Sequence, residues 1–268
     1  HVVYSNWYGV DRRKPVTYRK ISRAKGRAPE ARRQGAGLRP DPDNPRWLLH
    51  GDKHIALSGN GLWVLIPDTD VDPIKHNEHA ARWGATSNRT SLFSGCERVN
   101  GGELAPWERT GPGKANDGGP KYDLNRFDER YWRRAVQYVQ DATQRGIYPL
   151  IQIWCEPLVE RGEGRWIVHP FDPDNNINHI PKLPTGSADA GRDGIFYNTA
   201  NRRLLRFQEA FVRKALDELG RFPVIWDIGS AKLRCQMPAF TQLATQPCTQ
   251  PNGTSAGHWI LTATLPRT

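Results

Sequence analysis

Three segments of the chain combine a helical hydrophobic period, a glycine and then a short apolar run. In the third segment Leu204, Phe207, Phe211, Ala215 and Leu219 are spaced by three or four residues, so they fall on one face of a helix. A glycine just past a helix readily adopts the left-handed conformation that ends the helix. The pattern predicts helices over residues 72–83, 126–145 and 198–219, each followed by a glycine at 84, 146 or 220.

The apolar runs after these helices are typical of strands. Residues 147–154 and 224–228 are nearly continuous apolar stretches, as expected where both faces of a parallel sheet are covered. Further strands are predicted at 54–63 and 85–93. The alternation of strands and helices predicts an α/β domain. Asn125 is the expected N-cap of the second helix, with Asp128 in its first turn.

The connections between these elements are strongly unequal in length. The helix-to-strand connections have one to four residues, whereas the strand-to-helix connections span 94–125 and 156–197. Structureless loops this long inside a compact domain are usually functional. In (β/α) barrels such loops build the active site at the carboxyl ends of the strands. We therefore expect the functional site at that edge of the sheet.

The net charge of +10 is concentrated at the two ends of the chain. Residues 1–37 hold ten Lys and Arg against two acids, and residues 230–268 hold three bases and no acid. Neither segment shows a sustained period, so we predict a basic irregular arm (1–37), a domain (38–229) and an irregular tail (230–268). No apolar stretch is long enough for a transmembrane helix, and residues 1–20 show no signal-peptide pattern.

The cysteine and histidine patterns do not favour a metal. The four cysteines, at 96, 155, 235 and 248, form no CxxC pair, and their even number leaves disulfides open. His169 and His179 lie ten residues apart in one loop, where loop structure is the favoured interpretation. We predict neither a metal nor another cofactor.

Motifs in the order expected for one enzyme family run through residues 38–229. The stretches LRPDPDNPRW at 38–47 and IALSGNGLW at 55–63 resemble the opening of TIM-barrel glycoside hydrolases, in the retaining clan that includes the family-5 cellulases. WGATSNRTSL at 83–92 resembles the second strand of that family, HPFDPDNNIN at 169–178 its third βα loop, and VIWDIG at 224–229 its fourth strand. The resemblance implies about four βα units, a partial (β/α)8 TIM barrel, a carbohydrate substrate and a secreted or extracytoplasmic location.

The family pattern breaks immediately after the fourth strand. Where the family continues with Asn and its acid/base Glu, this chain has Ser230 and Ala231, and no acid follows Asp227. We interpret the chain as the first four strands of a barrel, cut before the usual catalytic pair. Exposed sheet edges then predict self-association that completes the barrel.

Two carboxylates are the catalytic candidates if the protein is active. Glu156 follows the third strand and Asp227 lies near the end of the fourth. Retaining hydrolysis needs carboxyl groups roughly 5–5.5 Å apart and inverting hydrolysis roughly 6.5–9.5 Å, and adjacent strands allow either. Alternatively, Asp227 is a buried structural acid paired with Arg89, and Glu156 is a solvated loop residue.

The candidate substrate-binding residues are polar or aromatic. Arg89 corresponds to the arginine that orders the family's site, and it either clamps a carboxylate or forms an interior ion pair. The tryptophans are candidates for sugar stacking or for the core, and the asparagines for sugar hydroxyls or for their own loop. The full set is Asn60, Trp63, Arg89, Trp107, Trp154, Trp166, Asn175 and Asn176.

Three functions remain open from the sequence. The first is a glycoside hydrolase-like protein that acts on or binds an oligo- or polysaccharide, with weak activity or none. The second is a non-catalytic carbohydrate-binding or scaffold domain. The third, ranked last, is nucleic-acid binding through the basic arm, which would fall steeply with salt.

Overall fold

The computed structural model describes residues 38–44, 46–92, 104–154, 166–181, 196 and 200–229. Its centre is a parallel sheet of four strands in chain order, which confirms the predicted α/β class. These strands are β4 (Gly59–Gly61), β5 (Ser87–Ser91), β8 (Tyr148–Trp154) and β9 (Ile225–Gly229). Their order in the sheet is β4-β5-β8-β9, and every neighbouring pair is parallel.

In the described part of the chain, three helices connect these strands: α1 (Pro73–Arg82), α2 (Glu129–Gln144) and α3 (Arg202–Leu219). Gly84 and Gly146 follow α1 and α2 with φ of 78° and 79°, as predicted. Gly220 differs, because it caps α3 with φ −65° and donates its N–H to Leu216. The apolar faces of α2 and α3 pack against β8, in a core that includes Tyr131, Trp132 and Phe211.

The second helix begins later than the sequence predicts. Its N-cap is Asp128, whose carboxylate accepts a hydrogen bond from the N–H of Arg130, so Asn125 is not the cap. The reason is that residues 120–127 are extended and paired as a strand. The third helix likewise begins at Arg202, after the N-cap Asn201, whose side chain accepts from Leu204 N–H.

The long connection after β5 contains a hairpin rather than a structureless loop. Strands β6 (Trp107–Lys114) and β7 (Pro120–Phe127) pair antiparallel, with register shifts along their length. The sequence did not predict this hairpin, because its two strands are charged and irregular and lack a clean alternation of apolar and polar residues. The tip of the hairpin lies at Asn116 to Gly119.

A small antiparallel sheet lies at the amino end of the parallel sheet. It consists of β1 (Leu38–Pro40), β2 (Leu48–His50) and β3 (Lys53–Ile55), so the strand predicted at 54–63 is divided between β3 and β4. Leu38 and Ile55 pack with Tyr148 and Ile225 in one apolar cluster. The small sheet therefore covers the amino end of β8 and β9 and leaves their carboxyl ends to the loops.

The predicted arm (1–37) and tail (230–268) lie outside the described residues, so the domain boundaries stay predictions. Among the residues that are described, no helix is long and apolar enough to cross a membrane.

Candidate functional site

The strand register brings three polar residues of the parallel sheet together. Ser91 of β5 is paired with Gln152 of β8, and Gln152 is paired with Asp227 of β9. Because side chains alternate between the two faces of a strand, Arg89 shares the face of Ser91 on β5. The sheet thus places a serine, a glutamine, an arginine and an aspartate side by side near its carboxyl edge.

An ion pair crosses this face of the sheet. Nη2 of Arg89 lies 3.0 Å from Oδ2 of Asp227 and donates a hydrogen bond to it. The two side chains differ in accessibility, since Arg89 is 39% exposed and Asp227 only 8%. A ligand approaching from solvent therefore meets the guanidinium first, and the carboxylate lies behind it.

The two neighbouring polar side chains are fully buried. Ser91 Oγ donates a hydrogen bond to Gln152 Oε1 at 3.0 Å, and both residues have no exposed surface. Gln152 is a missed member of this cluster. It is the polar residue within the apolar run 147–154, and that interruption was the available signal.

Trp63 provides the aromatic surface beside the ion pair. It lies two residues after the end of β4, and its carbonyl accepts a hydrogen bond from Ser91 N–H at 3.4 Å. Arg89 Cζ lies 4.9 Å from the centroid of the Trp63 ring, a cation–π contact. The residue is 41% exposed, so part of the indole faces solvent. Asn60 is exposed on β4, but it is paired with Asn88 and therefore lies on the sheet face opposite to that of Arg89.

Arg134 of α2 holds the turn that follows Trp63. Its Nε donates to the carbonyl of Ile66 at 2.8 Å, and Nη2 donates to Leu65 at 3.4 Å and to Asp68 at 2.6 Å. Nη2 also donates to the carbonyl of Val71. Burial lowers the pKa of Arg134, and Asp68 partly offsets that effect. The role of Arg134 could not be predicted from the sequence, because its partners are backbone carbonyls, which every residue has.

Three of the four candidate tryptophans are buried in the core. Trp107 is 1% exposed, Trp154 2% and Trp166 5%. Phe211 packs against both Trp107 and Trp154, with ring centroids 5.1 and 4.9 Å apart. Trp166 stacks on His169 at 4.9 Å. Stacking of a pyranose needs accessible aromatic surface, and Trp63, at 41%, is the most exposed of the four candidates.

The two candidate asparagines are engaged in loop structure. The amide of Asn175 donates to the carbonyls of Ile167 and His169 at 2.7 and 2.9 Å. The amide of Asn176 donates to the carbonyls of Pro170 and Asp172 at 3.0 and 2.8 Å. This is the alternative role considered above, in which the side chains tie the loop to its own backbone.

His169 is buried in the same loop and has a structural role. Burial lowers its pKa to about 3, so the imidazole is neutral near pH 7. Nδ1 accepts a hydrogen bond from Phe171 N–H at 3.1 Å, which assigns the ring proton to Nε2. Within the described residues, no group of three or more His, Cys, Asp and Glu side chains is arranged to hold a metal ion.

Glu156 is the second candidate catalytic carboxylate, besides Asp227. Glu156 lies outside the described residues, and so do all four cysteines. The site that the structure brings together consequently consists of Trp63, Arg89 and Asp227, supported by the buried Ser91 and Gln152.

Several solved structures are similar to this chain, at low sequence identity. A proposed glycoside hydrolase from Bacteroides vulgatus is 15% identical and covers 76% of this chain with a TM-score of 0.46. A glycoside hydrolase family 5 mannosidase from Rhizomucor miehei is 12% identical and covers 73%, with a TM-score of 0.44. An endo-1,4-beta-mannanase from the same organism is 14% identical and covers 69%, with a TM-score of 0.39.

The chain spans 34%, 49% and 46% of the length of these three structures, respectively. None of the curated proteins matches the chain. Residues 103–233, which include the β6–β7 hairpin, α2, β8, α3 and β9, match a family model described as a domain of unknown function (DUF6298).

Proposed function

We propose that this protein binds a saccharide at the carboxyl edge of its parallel sheet. The observation that carries the proposal is the half-exposed indole of Trp63 beside the Arg89–Asp227 ion pair. A pyranose presents an apolar face that stacks on an aromatic ring, and its hydroxyls need hydrogen-bond partners at the ring edge. Trp63 offers the ring and Arg89 offers the donors.

The proposed architecture is the first half of a (β/α)8 barrel of the glycoside hydrolase type. The strand order β4-β5-β8-β9 follows the chain order, as in such barrels, and the motifs at 38–63, 83–92, 169–178 and 224–229 occur in the family's order. In the described part of the chain, β4 and β9 are the edges of the sheet. Self-association through these edges remains part of the proposal, and a monodisperse monomer in light scattering would contradict it.

Binding is tested with a panel of soluble polysaccharides and the variant Trp63→Ala. We expect the variant to lose at least about tenfold in affinity, equivalent to about 1.4 kcal/mol, because the stacking surface is removed. The matched control is Trp83→Ala. Trp83 is 75% exposed but caps the carboxyl end of α1, toward the amino end of β5. The proposed site would be refuted if both variants lost affinity equally, or if the wild type bound none of the polysaccharides.

A more specific form of this proposal is that the protein also hydrolyses the bound saccharide. The carboxylate of Asp227 is only 8% exposed and is paired with Arg89, so we expect weak turnover or none. The measurement is release of the aryl group from aryl glycosides by the wild type, Asp227→Asn and Glu156→Gln. Equal rates for the wild type and Glu156→Gln would remove Glu156 from the mechanism, and equal rates for Asp227→Asn would remove Asp227.

A further inference from the structure

The accessible part of the candidate site is cationic. Arg89 exposes 39% of its side chain, whereas the Asp227 carboxylate behind it exposes 8%. Ser91 and Gln152 are fully buried and bonded to each other, so they cannot contact a ligand without rearrangement. A ligand at this position therefore meets an indole and a guanidinium.

The guanidinium has hydrogen-bonding capacity to spare. Arginine carries five N–H donors, and among the described residues Asp227 is the one hydrogen-bond partner of the Arg89 side chain, through Nη2. The cation–π contact with Trp63 is not a hydrogen bond to any of these donors. The guanidinium fork matches a carboxylate in geometry and charge, and such charge-assisted hydrogen bonds are roughly twice as strong as neutral ones.

We infer that the site prefers an acidic saccharide, in which a uronate carboxylate binds Arg89 while the pyranose ring packs on Trp63. This inference rests on the proposed function, because it names the class of sugar bound at the same site. Asp227 opposes the binding of an acidic sugar. Its negative charge lowers the local positive potential, and so weakens the attraction of a second carboxylate to Arg89.

The test compares one polymer in two charge states. De-esterified polygalacturonate and its highly methyl-esterified form have the same backbone, but the ester removes the carboxylate charge. We expect the de-esterified polymer to bind at least about tenfold more tightly at 150 mM salt, and Arg89→Gln to abolish that difference. If the methyl-esterified form binds equally or better, in a Trp63-dependent manner, the acidic-sugar inference fails and the saccharide site stands.

Asp227→Asn provides a test in which the direction of the change in uronate affinity is decisive. The asparagine oxygen can still accept the hydrogen bond from Arg89, but the negative charge is gone. We expect uronate affinity to rise by about three- to tenfold. If Asp227 instead contacted the sugar directly, the same variant would lose affinity, which would overturn the inference.

The basic arm requires a control, because ten Lys and Arg in residues 1–37 attract any polyanion. A short oligogalacturonide, titrated by calorimetry, limits that contribution. Binding through the arm would persist unchanged in both Trp63→Ala and Arg89→Gln, and that result would overturn the inference. If no glycan of either charge binds, the proposed function itself fails.

Discussion

Replacing Arg134 by methionine tests whether one half-buried guanidinium holds the turn after Trp63. Methionine is unbranched and similar in helix propensity to arginine, but it is shorter and has no hydrogen-bond donor. Four backbone carbonyls then lose a hydrogen bond, namely those of Leu65, Ile66, Asp68 and Val71.

The magnitude follows from the burial of those carbonyls. Leu65 and Ile66 have no exposed surface, so water cannot replace the lost donor. A buried acceptor left unsatisfied costs about 1–3 kcal/mol, and two of them near the lower end give about 2–4 kcal/mol. Water reaches the half-buried Val71 more easily, so its carbonyl adds less. For a domain of this size the loss corresponds to a fall in Tm of about 4–16 °C.

The measurement is urea unfolding followed by circular dichroism, with Arg133→Met as the matched control. Arg133 is the preceding residue on α2 and is exposed, so the same change of side chain should cost less than about 0.5 kcal/mol. Equal stabilities of the two variants would refute the argument. Arg134→Lys should recover only part of the loss, because one ammonium cannot reach all four carbonyls.

Three further predictions concern the stability of the scaffold. The low pKa of His169 means that the unfolded chain takes up a proton below about pH 6.5 while the folded chain does not until about pH 3. The wild type should therefore lose about 1.6 kcal/mol more than His169→Asn between pH 6.5 and pH 5 in chemical unfolding, and parallel pH profiles would contradict this. Burial raises the pKa of Asp128, but hydrogen bonds from Arg130 outweigh it and the pKa is lowered overall. Asp128→Ala should cost about 1–2 kcal/mol near pH 7, and the difference from the wild type should shrink as the pH falls below about 4 through the lowered folded-state pKa; a gap independent of pH would exclude this role of the carboxylate. A Cβ at Gly59 would collide with the carbonyl of Ser87, so Gly59→Ala should lower the melting temperature by several degrees, whereas Asn60→Ala on the same strand should not; equal melting temperatures would show that β4 can move away from β5.

Helices α1, α2 and α3, and the strands β8 and β9, could be predicted because their signal is local. The apolar period of residues 204–219 lies within one window of sequence, and Gly84 and Gly146 mark helix ends by their own backbone freedom. The same reasoning placed the long loops at the carboxyl edge of the sheet, where Trp63, Arg89 and Asp227 are found.

The β6–β7 hairpin and the late start of α2 depended on contacts between distant residues. Asp128 rather than Asn125 became the cap because β7 continues to Phe127 and keeps Asn125 in a strand. The loop around Asn175 and Asn176 also docks on β7, through a backbone bond from Tyr122 N–H to the carbonyl of Asn175. No property of residues 107–127 alone indicates that partner.

The sequence by itself determined the α/β class, the positions of the main helices and the candidate residues, because periodicity and glycines act within one element. Tertiary structure decided which candidates are accessible. Trp107, Trp154 and Trp166 are as aromatic as Trp63, but Phe171, Phe196 and Phe211 cover their rings. Arg89 and Asp227 lie 138 positions apart and meet only because β5, β8 and β9 align in register. Burial and pairing depend on residues that are distant in the chain, and only the folded structure brings those residues together.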